Sequence, residues 1–153
     1  MNEERYQFII EIIKEAGKLI LSLREEKFKV SSKNEDVRDL VTSVDLSVNN
    51  FISGEIKSLY PNEVILSEEI KNNSTTPDTF WSIDPIDGTS NFIRDIPHFA
   101  TCITYVENNQ PIIGAVFNPV TNELFSFQKD KGVFLNDKKI EVIYLASKLN
   151  SPF

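Results

Sequence analysis

The order of residues predicts an α+β domain, two long amphipathic helices packed on a mostly antiparallel sheet. Three observations carry this. Apolar residues recur at helical spacing as far as Leu59, beyond which they fall into short extended runs separated by turn residues. One of those runs ends in the acidic stretch Ile83–Phe92, IDPIDGTSNF. The chain of 153 residues, 41% hydrophobic and 25% charged, has the length and balance of a globular protein with a real core.

The first helix is expected over Glu3–Glu26. Phe8, Ile9, Ile12, Ile13, Ala16, Leu19, Ile20 and Leu23 share one face, with Glu11, Lys14, Glu15 and Lys18 opposite. Gly17 inside it costs about 1 kcal/mol relative to alanine, which predicts close packing against a neighbour. Lys29–Arg38 (KVSSKNEDVR) is polar and aperiodic and reads as a mobile loop. A second helix is expected over Ser43–Leu59, burying Val44, Val48, Phe51, Ile52, Ile56 and Leu59. Thr42, Ser43 and Asp45 suit its start because their side-chain oxygens can cap exposed amides. Pro61 and Asn62 stop it.

From there the reading is extended. Strands are expected at Val64–Leu66, Phe80–Ile83, Phe99–Val106, Ile112–Phe117, Glu123–Phe127 and Gly132–Leu135, with a last short one at Ile140–Ile143. Lys71–Asp78 is an exposed loop, and turns fall at Asn108-Asn109, Asn118-Pro119 and Asp130–Gly132.

The net charge of −7 argues against a nucleic-acid groove or an anionic membrane surface. An anionic substrate stays open, because bound divalent cations can invert the sign of an acidic pocket. No run of about 18 apolar residues occurs, so no spanning helix is expected. The polar start MNEERYQ is unlike a secretory signal, and the single Cys102 lies in an apolar segment. A cytoplasmic protein with one buried thiol is the expectation.

Chemistry concentrates in three acidic clusters: Asp39 with Asp45, Glu68 with Glu69, and Asp84 with Asp87. Hard cations such as Mg²⁺ take carboxylate oxygens, waters and phosphate oxygens, and carboxylates at the ends of adjacent strands can converge on one ion. Pro85 favours an extended Asp84 and a fixed turn after it, so Asp84, Asp87 and the Ile86 carbonyl could share a pocket. Gly88 and Thr89 then open a short helix whose free amides suit a phosphate. A phosphate-ester enzyme is the leading reading. His98 and Trp81 are read as structural.

DLVTSVD (Asp39–Asp45), SEE (Ser67–Glu69) and WSIDPIDGTSNF (Trp81–Phe92) resemble the successive N-terminal motifs of the inositol monophosphatase family. IPHFATCITYV, IIGAVFNPVTNELF and KGVFLND continue the resemblance in order, most like bacterial members. It covers nearly the whole chain, and DPIDGTSNF is highly specific. The resemblance implies the N-terminal half of that fold and a Mg²⁺-dependent, Li⁺-sensitive phosphomonoesterase. Its substrate would be a small phosphate ester such as inositol-1-phosphate, attacked directly by a metal-activated water.

Carried over by position, the resemblance gives Glu68, Asp84 and the Ile86 carbonyl to a first Mg²⁺, and Asp84 with Asp87 to a second. Glu68 would lie near a third ion. Gly88 and Thr89 would hold the phosphate beside Asp87, and Asp45 and Thr89 would activate the water. Lys33 is similar to a loop lysine of the family, at a different spacing from Asp39. Relatives also continue into a further layer with a WDxAAG-like motif that this sequence lacks. A metal-binding domain over 1–143 and a junction over 144–153 are therefore expected, with impaired activity and a face covered by a homodimer or another partner. The alternative is an inactive metal- or phosphate-binding, or protein-interaction, domain derived from the family.

Overall fold

The computed structural model describes residues 2–25, 30–32, 40–68 and 76–141. Helix α1 (Asn2–Glu25) and helix α2 (Ser43–Leu59) follow the expected periodicity. Ile9, Ile13, Ala16 and Ile20 of α1 and Val48, Ile52 and Ile56 of α2 are fully buried. Each such aliphatic side chain contributes about 1.5–3 kcal/mol relative to exposure. Leu59, expected in the stripe, is instead 59% exposed, because it ends the helix where the chain turns toward Pro61.

Two short strands, β1 (Val30–Ser32) and β2 (Leu40–Thr42), pair antiparallel with Val30 opposite Thr42. This corrects the loop expected over Lys29–Arg38. Three residues are too few to show a period, and the partner that makes them a strand lies ten residues away. The rest of that loop lies outside the described residues.

Seven further strands form one sheet in sequential order: β3 (Ile65–Ser67), β4 (Phe80–Asp87), β5 (Ala100–Glu107), β6 (Gln110–Asn118), β7 (Glu123–Gln128), β8 (Gly132–Leu135) and β9 (Lys138–Ile140). Only β3 and β4 run parallel, so the sheet is mostly antiparallel as expected. Sequential order follows from tight turns. Asn108 and Asn109 both take positive φ in the β5–β6 hairpin, and the Asn118 side chain accepts from the amides of Val120 and Thr121. The last strand ends at Ile140, short of the Ile143 expected, and residues 142–153, with the expected boundary at 143, lie outside the described residues.

Both long helices lie on one face of this sheet, over Trp81, Ile83, Ile103, Ile113 and Phe117. Gly17 marks the closest approach: a Cβ there would lie 2.5 Å from the Phe117 ring and 3.1 Å from Pro119. The expected close packing is thus the contact of α1 with β6. At the other end of α1, Arg5 makes two hydrogen bonds to Glu63, at 2.9 and 2.6 Å, and lies over the Tyr60 and Tyr105 rings. Glu63 also accepts from the Trp81 indole at 2.6 Å, so the buried ends of α1, β4 and β5 share one satisfied polar cluster.

Candidate functional site

The site begins with strand direction. Parallel pairing of Ser67 with Ile83 brings the next residues, Glu68 and Asp84, to the same level, just past the end of β3 and within β4. Helix α2 returns to the sheet through a short turn, and its first turn carries Asp45, which is 3% exposed. Parallel strands and an antiparallel helix therefore deliver three carboxylates to one end of the fold.

Strand β4 does not stop at Ile83 as expected but continues through Asp87. Asp84 pairs with Cys102 and Asp87 with Ala100, so Pro85 and Ile86 stand against Thr101 alone. This is a β-bulge where a turn was anticipated. Proline has no amide to give the ladder, and the Thr101 hydroxyl, fully buried, donates to the Pro85 carbonyl at 2.8 Å. Threonine 101 was missed from sequence, since its role appears only once the bulge exists. The bulge re-aims the strand so that Asp87 emerges exposed.

Gly88 follows at φ 88°, a left-handed conformation that favours glycine. A Cβ there would also come within 3.0 Å of the His98 carbonyl. The short helix α3 (Thr89–Ile93) starts at once, with the amides of Asn91 and Phe92 bonded to the Gly88 carbonyl. Phe92 is buried edge-to-face against Phe99, and the Asn91 side chain donates to the His98 carbonyl at 2.7 Å. The Thr89 hydroxyl donates to the Ile86 carbonyl at 2.8 Å.

Electrostatics bind these pieces into one site. The Asp84 carboxyl is pushed up to about 7, first by burial and then by the negative charges of Glu68, Asp87 and Asp45, while the Ile86 amide acts in the opposite sense. Four carboxylates from three separate segments thus act on one another around Asp84. Cys102, opposite Asp84, is half-buried and not fully buried as expected, because it faces the side of the sheet opposite α1 and α2. Burial, and then Asp84 and Asp87, push its thiol up to about 12, so it stays protonated.

Carboxylates and a carbonyl are hard oxygen donors, the chemistry that Mg²⁺ takes. The donor set fits in kind. Its spacing is open, since among the described residues no three acidic, histidine or cysteine side chains stand close enough to ligate an ion. Lys33, Asp39 and Glu69 lie outside the described residues.

An open cavity of about 450 Å³ adjoins Asp87 and Gly88, walled by His98, Asn118, Val116 and Phe125. His98 is exposed on its rim, and its backbone carbonyl is what the fold uses. Trp81 is fully buried, as its structural reading required. No helix among the described residues is long and apolar enough to cross a membrane.

Residues 1–150 match the inositol monophosphatase family. A fructose-1,6-bisphosphatase/inositol-1-monophosphatase of Thermotoga maritima is 33% identical over 144 residues, covering 94% of this chain and 55% of the relative. The solved structure of a Thermotoga maritima IMPase superposes with a TM-score of 0.83 at 33% identity, over 94% of this chain and 55% of that one. An IMPase/NADP phosphatase solved with Mg²⁺ and phosphate gives 0.84 at 25% identity, over 92% and 53%. The chain spans about half the length of the relatives it matches. With the match running over residues 1–150, the chain belongs to the inositol monophosphatase family.

Proposed function

We propose that this chain carries the cation- and phosphate-binding part of a Mg²⁺-dependent phosphomonoesterase that hydrolyses a small phosphate ester such as inositol-1-phosphate. The observation that supports it most is that the charges of Glu68, Asp87 and Asp45 all act on the half-buried Asp84, beside the Gly88–Thr89 turn. Neighbouring structures support the choice of cation and anion, one of them holding Mg²⁺ and phosphate.

In this reading Glu68, Asp84 and the Ile86 carbonyl hold a first cation, Asp84 and Asp87 a second, and Glu68 lies near a third. A carbonyl oxygen has two lone pairs, so Ile86 can keep the Thr89 proton and still face a cation. Backbone amides of Gly88 and Thr89 bind the phosphate, since the first amides of a helix have no intrahelical acceptor. A bound divalent cation supplies acidification of water and neutralisation of charge on the phosphoryl oxygens. Thr89 would orient the attacking water by accepting a hydrogen bond from it and Asp45 would take up its proton, so that no covalent phosphoenzyme is required.

The substrate is thus a small phosphorylated molecule, acted on without nucleic acid or membrane, in a cytoplasmic protein that Li⁺ inhibits. Phosphate release from inositol-1-phosphate and p-nitrophenyl phosphate, with Mg²⁺ and with EDTA, tests it against Asp84→Asn. The unchanged chain with Mg²⁺ should exceed the variant by about a hundredfold or more. Equal rates would sink the enzyme reading.

A further inference from the structure

Asn49 is an amide buried to 3% exposure on α2, one helical turn after Asp45 and on the same buried face. Its carbonyl oxygen accepts a hydrogen bond from the Ser67 hydroxyl at 2.6 Å, across 18 positions of sequence. Ser67 closes β3, is followed directly by Glu68, and pairs in register with Ile83, which precedes Asp84. One bond therefore joins α2 to β3 immediately behind Asp45 and Glu68, and the strand register passes the tie on to Asp84.

We infer that Asn49 is a positioning residue for the cation site, holding Asp45 and Glu68 at a fixed separation through Ser67. The inference rests on the reading of those carboxylates as cation ligands. The physical need is plain. Like charges on Asp45 and Glu68 would repel in the absence of a cation, in the direction that parts the start of α2 from the end of β3. A neutral amide-to-hydroxyl bond resists the separation without adding charge. A carboxylate at position 49 would place a further negative charge one turn from Asp45. A leucine there would fill the space and leave α2 and β3 joined by packing alone, which does not set a separation as a short hydrogen bond does.

A merely structural role predicts a different outcome, because a buried asparagine with a partner stabilises any helix–strand contact. The two are separated by measuring Mn²⁺ binding to the full chain by electron paramagnetic resonance, well below the melting temperature, alongside melting in EDTA. Variants are Ser67→Ala, Ser67→Thr, Asn49→Ala and the double alanine. A positioning role gives about tenfold weaker Mn²⁺ binding for each single alanine, little more for the double, and near-normal binding for Ser67→Thr, which keeps the hydroxyl. If Asn49→Ala does not fold, Ser67→Ala and Ser67→Thr decide the matter, since Ser67 ends a strand and is only partly buried. Unchanged Mn²⁺ affinity with lowered melting overturns the inference and leaves the cation site standing. No Mn²⁺ binding by the unchanged chain overturns the cation site, and the inference with it.

Discussion

The two faces of the seven-stranded sheet differ in what covers them more than in what they are made of. Under α1 and α2, Trp81, Ile103 and Ile113 are fully buried and helix and sheet close on each other through Gly17. On the other face the row Asp84, Cys102, Val116, Phe125 and Leu135 runs across five strands in register, and no described helix lies on it. Val116, Phe125 and Val133 of that face are 42, 41 and 39% exposed. An antiparallel sheet with one solvated face ordinarily alternates apolar and polar residues. Here the uncovered face is apolar too, and its acidic end is the candidate site. One face supplies stability, while the other carries two of the acidic residues of the candidate site.

The comparison breaks first at the core. Ile103→Ala should cost about 2–5 kcal/mol in urea unfolding, because the covered face cannot collapse around the cavity. A cost below about 1 kcal/mol would show that the helices pack loosely. Gly17→Val should cost about 1–3 kcal/mol by forcing the Phe117 ring away, and the loss should shrink when Phe117→Ala is added.

At the acidic end the sign reverses. A carboxyl whose folded value lies near 7, against an ordinary 3.8, favours the folded state while protonated. Its contribution is complete below about 3.8 and is lost as pH rises through about 7. With EDTA present, thermal melting should therefore fall across that window from this group. Asp84→Asn should melt higher than the unchanged chain at pH 8 and should flatten the trend, even as it removes hydrolysis. A variant that melts lower at pH 8 would contradict the account of mutual repulsion.

The smallest effect is expected on the open apolar face. Phe125→Ser and Val116→Ser should change unfolding free energy by under about 1 kcal/mol, while reducing binding of a hydrophobic dye such as ANS. Losses as large as that of Ile103→Ala would mean that this face is packed and the contrast is false.

How much of this was legible in the residues differs by element. The long helices announced themselves because eight apolar positions in α1 and six in α2 repeat at a period of about 3.6, and runs of that length outweigh local accidents. Asp84, Asp87, Gly88 and Thr89 were legible because they lie together in one stretch of chain. Val30–Ser32 was not, since a three-residue strand is made by its partner and carries no period of its own. Neither was the exposure of Leu59, which depends on where the chain turns away from the sheet.

By itself the sequence determined the helical stripes, the turns at asparagine and glycine, and which acidic residues are present to meet. These are local consequences of side-chain spacing and backbone preference. Only the tertiary structure decided that Asp45 and Glu68 lie within electrostatic reach of Asp84, that the chain bulges at Pro85, and that Asn49 reaches Ser67. The first and last depend on the parallel pairing of β3 with β4 and on the seat of α2 against the sheet, and the bulge depends on the antiparallel pairing of β4 with β5. Contacts between distant segments are settled by burial of the whole core, which no single stretch of residues contains.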